Sequence, residues 1–562
     1  AAEKRRRRKR GLMEDPPRRV FINDAVCEGC GDCSVQSNCV SVQPLQTVFG
    51  RKRRIDQSNC NKDFSCVKGF CPSFVSVHGG TLRKARGAGV SEDAAKAAIA
   101  DLPEPVLPGC VEPYGIMITG IGGTGVITIG ALLGMAAHIE GLGVTVLDQT
   151  GLAQKNGAVG SHVRIAATPE DLHATRIAAG GARLLLGCDI VTAATPEVLS
   201  MLEPGRSRAV VNGHVTPPAA FVIDNTIDLG SRLMTRHISE ATGKDCADFI
   251  DATRLATALL GDSIASNLFM VGYAWQKGLV PLRRESLEAA IRLNGVAVDF
   301  NLRAFNWGRL AEHDRARIEA LAAEGTEQTP QSQPDMSLDE LIEHRAGYLV
   351  DYQNAAYANR YREFVTRVRD AEAKAVPGQT ALSESVARNL CKLMAYKDEY
   401  EVARLYSCPE FKQGLERQFE GDFRLGVHLA PPLFARRDPD SGRLIKREYG
   451  PWVFRLFAVL ARLRWLRGGW LDPFGRSAER VMERQLIDDY RRNVTSLLEG
   501  LGEHNHQQAV AIAELPDQIR GFGHVKQRNV QSVREREQRL LAAYGQNGSG
   551  HDTQSPSRTA TG

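Results

Sequence analysis

Seven of the twelve cysteines fall between Cys27 and Cys71. In Cys27-Glu-Gly-Cys30-Gly-Asp-Cys33, three thiolates stand at three-residue steps on a glycine-containing loop. That spacing can wrap three iron corners of one cubane cluster, whose fourth ligand comes from elsewhere as a Cys followed by Pro. Cys71-Pro72 fits that place. Structural zinc prefers paired Cys-x-x-Cys sites, so iron–sulfur is the better reading of this run. Cys39, Cys60 and Cys66 remain. Two clusters need eight ligands and the region supplies seven cysteines. A second cluster would use Cys39, Cys60, Cys66 and an unknown fourth group; the alternative is that these three pack structurally in a degenerate second half.

A second chemical signal is a glycine-rich turn, Gly120-Ile-Gly122-Gly123-Thr-Gly125, after an apolar run and before a helical pattern. Glycines there allow a tight turn and close backbone approach, and the helix N-terminus favours phosphate. Asp148, 23 residues after Gly125, stands near where a dinucleotide fold keeps its ribose acid. Dinucleotide binding competes with a turn that packs closely on a cofactor or another subunit. The polar segment 149–162 is expected at a ligand-binding edge of the same sheet, with Lys155, Asn156 and Ser161 able to meet a substrate or partner. His162 reads as a local hydrogen-bonding residue rather than a catalyst.

The elements that must hold these residues follow from pattern. Short apolar runs at 116–119, 144–148, 161–166, 183–189, 209–212 and 220–223 read as strands. Segments 128–140, 197–202, 248–260, 264–277 and 284–292 read as helices between or after them, so a mostly parallel sheet covered on both faces is expected. From residue 338 onward the chain reads as mostly helical. Trp452 to Trp465 reads as an amphipathic basic helix that packs on a core rather than on a membrane. Lys397 to Arg404 and Ile519 to Lys526 are dense in charge and aromatics without an evident mechanism. Arg51-Lys52-Arg53-Arg54 reads as a solvated turn or as a patch steering an acidic electron carrier. His504 and His506 alone do not make a metal site.

Composition sets the frame. The 562 residues carry a net charge of +5 and are 43% hydrophobic and 24% charged, ordinary for a multi-domain globular chain. Residues 1–20 hold nine Lys/Arg and three Asp/Glu, so the remainder is close to neutral and no basic field points to nucleic acid. The stretch between Glu112 and Glu140 lacks Asp, Glu, Lys and Arg, but its seven clustered glycines argue for strand, turn and helix rather than a membrane span. Local clustering of cysteines, without a secretory leader at the start, suggests a reducing compartment and hence the cytoplasm. The organisation expected is a basic linker at 1–19, a cysteine module at 20–78, a connector at 79–111, an α/β domain at 112–323, a linker at 324–337, a helical domain at 338–544 and a disordered tail at 545–562. The fold class is α/β plus α.

Together the cysteine module, the segment from Gly115 to Ala166 and the run Leu393-Met-Ala-Tyr-Lys-Asp-Glu-Tyr-Glu-Val-Ala-Arg404 resemble the C-terminal part of bacterial fused indolepyruvate ferredoxin oxidoreductase, of the 2-oxoacid:ferredoxin oxidoreductase superfamily. The resemblance implies a ferredoxin-type iron–sulfur module, a gamma-type α/β domain and a helical domain of unassigned role. It implies oxidative decarboxylation of an arylpyruvate such as indolepyruvate with coenzyme A, giving acyl-CoA, carbon dioxide and reduced ferredoxin. Thiamine diphosphate and magnesium would act in a part that carries a G-D-G…N-N motif, which this sequence lacks. The chain is thus expected to be a fragment or one subunit of a split enzyme, inactive without its thiamine-binding partner and homo-oligomeric. One [4Fe–4S] cluster on Cys27, Cys30, Cys33 and Cys71 is expected, and Gly120, Gly122, Gly123 and Gly125 would face thiamine or coenzyme A. Competing readings are a self-contained NAD(P)-linked iron–sulfur oxidoreductase and a non-enzymatic redox-sensing scaffold.

Overall fold

The computed structural model describes residues 7–8, 11–39, 41–83, 99–150, 157–215, 230–325, 336–431, 439 and 444–548. Lys155, Asn156, the expected strand at 220–223, parts of the linkers and the last fourteen residues lie outside that set.

The cysteine region is two strand–loop–turn–strand units. β1 (Arg18–Ile22) leads into the first cysteine loop and the helix Asp32–Ser37, then β2 (Val42–Thr47). β3 (Gly50–Ile55) leads into a second loop and the 3-10 turn Ser65–Lys68, then β4 (Phe74–Leu82). β2 pairs with β3 and β1 with β4, both antiparallel. The expected solvated turn at Arg51–Arg54 is instead strand β3. Arg53 is 1% and Lys52 9% exposed, so this run is not a surface patch.

The α/β region holds β5 (Tyr114–Ile121), the helix Val126–Ile139, β6 (Gly143–Thr150), β7 (Ala158–Ala166), β8 (Ala182–Gly187), β9 (Arg208–Asn212) and β10 (Ala247–Ile250). The sheet order is β10-β9-β8-β5-β7-β6, with only β7 antiparallel to its neighbours. Central β5 is buried from Gly115 to Ile121, as a strand covered on both faces must be. The expected helix over 248–260 is in fact β10 followed by the helix Ala252–Leu260. Pairing of Ala247–Ile250 with β9 outweighs its helical pattern, and the Asp251 side chain caps the helix by accepting from Arg254 N. The expected helix at 197–202 is one turn, Pro196–Leu199.

The C-terminal region is mostly helical. Helices Leu338–Tyr352, Ala355–Ala375, Ala381–Met394, Ala478–Glu499, His506–Ala513 and Gly523–Gly548 enclose a core around Tyr361, Leu390 and Tyr490. Two strands interrupt them. β11 (Phe419–Leu429) pairs with β4, and β12 (Arg447–Tyr449) with β11, extending the cysteine region's sheet to β1-β4-β11-β12. One face of that sheet, through Val20, Ile22 and Phe74, packs with the cysteines. The other, through Val75, Val77 and Val427, packs on the helices Glu399–Ser407, Pro409–Gln418 and Trp452–Arg462. The last of these buries Val453 and Phe457 but leaves Trp452, Leu456 and Val459 exposed. Among the described residues no helix is long and apolar enough to cross a membrane.

Candidate functional site

The first cysteine loop needs left-handed backbone at Gly29 (φ +68°) and Gly31 (φ +79°). Glycine is required at 29 for a second reason: a Cβ there would collide with the Arg51 carbonyl oxygen of β3. The turn lets Gly29 N–H donate to Cys27 Sγ at 3.3 Å. Asp32 accepts from Phe70 N at 2.7 Å, which draws the Cys71 segment to this loop. Gly69 packs so closely on Cys33 that a Cβ would lie 2.9 Å from its Cα. The structure therefore places Cys27, Cys30, Cys33 and Cys71 as one group. Burial pushes the thiols of Cys27, Cys30 and Cys33 up, and the charge of Cys71 pushes each further.

Buried and half-buried cations surround this group. The Arg53 guanidinium is pulled down by burial and back up most strongly by the charge of Cys33. Lys446 donates to Gly69 O at 2.6 Å; burial lowers its pKa, with Cys71 and Cys33 opposing. Lys397 donates to Val26 O (3.3 Å) and Cys27 O (3.2 Å) and pairs with Glu28 at 2.7 Å. Burial alone would raise Glu28, but Lys397 and Lys52 hold it well below the usual carboxylate range. Such buried cations are costly unless an anionic group shares their site. Four thiolates around an iron–sulfur core are such a group, so this donor set suits a cluster.

The second loop repeats the first at an offset of 33 residues. β1 ends at Ile22 and β3 at Ile55; Cys27 and Cys33 correspond to Cys60 and Cys66. Lys62 N–H donates to Cys60 Sγ at 3.4 Å, as Gly29 does to Cys27. Burial pushes Cys66 up to about 12, with Cys60 and then Cys39 adding to it, so these three thiols form a second group. Among the described residues, no group of three or more His, Cys, Asp or Glu closes on a position for a single metal ion.

The helical region grips the cysteine loops with residues that sequence reasoning left unexplained. Besides Lys397, Arg520 Nη1 donates to Arg51 O at 3.0 Å, Tyr406 OH donates to Pro72 O at 2.5 Å, and the His524 and Phe70 rings lie 4.8 Å apart. A cavity of about 800 Å³ opens beside Cys71, lined by Phe70, Leu429, Tyr449, Trp452 and Leu456.

The Cys60 loop also meets the α/β region. Ser58 and Ser263 hydroxyls lie 3.0 Å apart, and Asn59 Nδ2 donates to Ser263 Oγ at 3.3 Å. This contact borders the glycine turn, where Asn267 Nδ2 donates to Thr124 O at 2.9 Å. The cavity there is about 50 Å³, well below the roughly 300–1,000 Å³ of a small-molecule pocket. Gly123 and Gly125 take φ +90° and +104° at the start of the helix Val126–Ile139, and Gly120 and Gly122 lie on either side of the end of β5. Asp148 is exposed on β6, at the outer edge of the sheet, and β7 separates it from β5. A dinucleotide site sets its acid on the strand beside the glycine strand, so this topology departs from that pattern. His162 is buried, accepts from Ile177 N through Nδ1 at 3.3 Å, and has its pKa lowered by burial and then by Arg176, which suits a structural neutral ring.

Comparison with known proteins adds an independent line. Residues 115–311 match the family described as pyruvate ferredoxin/flavodoxin oxidoreductase, and residues 338–539 match a family of unknown function (DUF6537). The indolepyruvate oxidoreductase subunit IorB of Pyrococcus horikoshii is 30% identical over 201 residues, which are 35% of this chain and 95% of that protein. The subunit of the same name from Thermococcus kodakarensis is 29% identical over 200 residues, again 35% and 95%. The crystal structure of pyruvate oxidoreductase subunit PORC from Thermotoga maritima aligns at 19% identity and a TM-score of 0.26, covering 35% of this chain and 96% of that one. The chain belongs to the 2-oxoacid:ferredoxin oxidoreductase family.

Proposed function

We propose that this chain is the electron-transfer and gamma-type part of a thiamine-dependent indolepyruvate, or arylpyruvate, ferredoxin oxidoreductase. The observation that carries the reading is the convergence of Cys27, Cys30, Cys33 and Cys71 among buried cations, in a chain of this family. Those four residues would hold one [4Fe–4S] cluster, and Cys39, Cys60 and Cys66 would contribute to a second. When bound, such clusters accept and release single electrons, the form in which a ferredoxin takes them.

The protein's own residues order the two groups. The Cys60 loop abuts the α/β region through Ser263, and Cys71 borders the open cavity, which is lined by the cysteine and helical regions. Electrons from a 2-oxoacid would thus enter at the α/β side and leave near Cys71 to ferredoxin. Amide donors to Cys27 and Cys60 Sγ and the nearby cations Arg53, Lys397 and Lys446 stabilise added negative charge, which eases reduction. Thiamine diphosphate with magnesium belongs, in this reading, to a partner domain or subunit, and coenzyme A is the acyl acceptor. The glycines at 120, 122, 123 and 125 would face that partner's chemistry. We place the complex in the cytoplasm as a homo-oligomer.

Anaerobic iron and acid-labile sulfide analysis with EPR of the reduced chain tests this. At least one reduced-cluster signal per chain, lost in Cys30→Ser, is expected. Bound zinc without iron would sink the electron-transfer reading.

A further inference from the structure

We infer that Asp63 is the fourth ligand of the second cluster, completing the set begun by Cys39, Cys60 and Cys66. The inference rests on the iron–sulfur reading above and goes beyond it by assigning the missing ligand.

Counting cysteines leaves the second set one short. The backbone supplies the fourth. At the offset of 33, the first loop's Cys27, Gly29, Cys30, Gly31 and Cys33 correspond to Cys60, Lys62, Asp63, Phe64 and Cys66. Gly29 and Lys62 both have positive φ, +68° and +49°. Gly31 and Phe64 do as well, +79° and +60°. Each loop then enters a helical turn at the matching residue, Asp32 or Ser65. Each also aims the amide two residues after its first cysteine at that cysteine's Sγ, at 3.3 and 3.4 Å. The two loops thus follow one path, and Asp63 stands where Cys30 stands.

That path is unusual for the second sequence. Glycines take left-handed conformations freely, but Lys62 and Phe64 do so at a cost. A loop that keeps a ligand-wrapping path without glycines is held to it by something other than its own preference. The residue at 63 is an exposed carboxylate beside Cys60 and Cys66. Its Oδ1 accepts from Ser65 N (3.1 Å) and Ser65 Oγ (2.8 Å), which fixes the carboxylate's orientation. Its charge also bears on both Cys60 and Cys66.

The remote ligands follow the same symmetry. Cys71 precedes β4 and acts on the first loop; Cys39 precedes β2 and acts on the second. Each unit therefore lends its last cysteine to the other's set. The one chemical difference between the sets is an oxygen ligand in place of sulfur. A carboxylate holds iron less tightly than the soft thiolate that iron–sulfur clusters prefer. The iron bound by Asp63 should be the one that leaves first. Ferricyanide provides the oxidant for that step: [4Fe–4S]²⁺ gives [3Fe–4S]⁺, Fe²⁺ and one electron, which reduces ferricyanide to ferrocyanide.

The test uses the full chain, isolated anaerobically, with iron counting and EPR before and after limited ferricyanide. The expected wild-type result is about eight irons in two four-iron clusters, one of which loses a single iron and yields one three-iron signal per chain. Adding ferrous iron and reductant should restore the lost iron. Asp63→Cys should keep both clusters intact under the same oxidation, and Asp63→Ala should carry one three-iron cluster from the start. The first cluster's signal, unchanged in both variants, reports that the module still folds. An Asp63→Cys protein that releases iron as readily as wild type would overturn the assignment of Asp63 while leaving the iron–sulfur reading intact. So would a wild-type chain holding only one cluster. A chain with no iron at all would overturn the reading itself.

Discussion

Lys397 Nζ lies 3.2 Å from the main-chain oxygen of Cys27, a residue 370 positions earlier in the chain. The same ammonium pairs with Glu28 at 2.7 Å, with only 9% and 14% of the two side chains exposed. The helical region therefore does more than follow the cysteine region in sequence: it fastens the loop that carries the first three thiols. Lys397→Met should leave Glu28 buried without its nearest cation and destabilise the protein by about 3 kcal/mol. In the double variant with Glu28→Gln most of that loss should return. The same substitution removes a cation beside the proposed first cluster, whose reduction potential should then move to more negative values. Denaturant unfolding of the four proteins of this cycle, with a redox titration of wild type and Lys397→Met, checks both expectations.

Gly29→Ala is a sharper probe of the proposed first cluster alone. The added methyl meets the Arg51 carbonyl oxygen, and Arg51 is fixed in the β2–β3 ladder opposite Gln46. The φ of +68° is itself unfavourable for alanine. The expected outcome is loss of one cluster's share of iron, about half of the total if both sets are filled. The signal of the other cluster should persist. A full iron complement in this variant would show that the loop is not needed in its observed path.

Much of the site is legible in the sequence because it is local. Cys27 and Cys30 share one loop with Cys33 in the helix that follows it, and the glycine turn joins one strand to the next helix. The apolar runs of β5, β8 and β9 announce buried strands. What stays hidden is set by distant partners. Lys397 and Arg520 look like surface charge until the fold brings them to Cys27 and Arg51. Lys52 and Arg53 look solvated because buried cations are rare, yet both are buried. Two features were readable but need a different question. Phe419, Phe423, Leu425, Val427 and Leu429 alternate with mostly polar or glycine positions, the period-2 signature of β11 inside a helical region. The second cysteine loop emerges only when the two units are aligned at 33 residues rather than by counting thiols.

A second fastening sits one residue beyond Lys397. Asp398 receives Arg467 Nε at 2.6 Å and Nη2 at 2.9 Å, while Arg467 Nη1 donates to Tyr352 O at 2.6 Å. Asp398 also caps the helix Glu399–Ser407 by accepting from Glu401 N at 2.8 Å. With 3% and 4% of the side chains exposed, removing one partner leaves a buried charge, so Arg467→Met should cost roughly 3 to 5 kcal/mol. Arg467→Lys should recover little of this, because an ammonium cannot make the forked contact or stack on Tyr352, whose ring centre lies 3.7 Å away. Thermal unfolding of both variants decides the point. Full recovery by lysine would mean that charge alone, and not the fork, holds the helix.

The junction between β4 and β11 should respond to acid. His428 Nε2 lies 2.8 Å from Ser76 Oγ across that pairing, and the ring is 5% exposed. Burial pushes its pKa down to about 4, with Lys446 adding to the fall and Glu448 opposing it. The unfolded chain binds a proton at this histidine below about 6.5. Between about 6.5 and 4 the unfolded state therefore holds more protons than the folded one, and stability rises with pH. The contribution is fully present above about 6.5 and is lost as pH falls toward 4, an effect of about 1 to 3 kcal/mol. His428→Gln has no such proton to take up, so its stability should change less over that window. Urea unfolding of both proteins at several pH values across it gives the comparison. Parallel curves for wild type and variant would rule out His428 as the source of acid sensitivity at this junction.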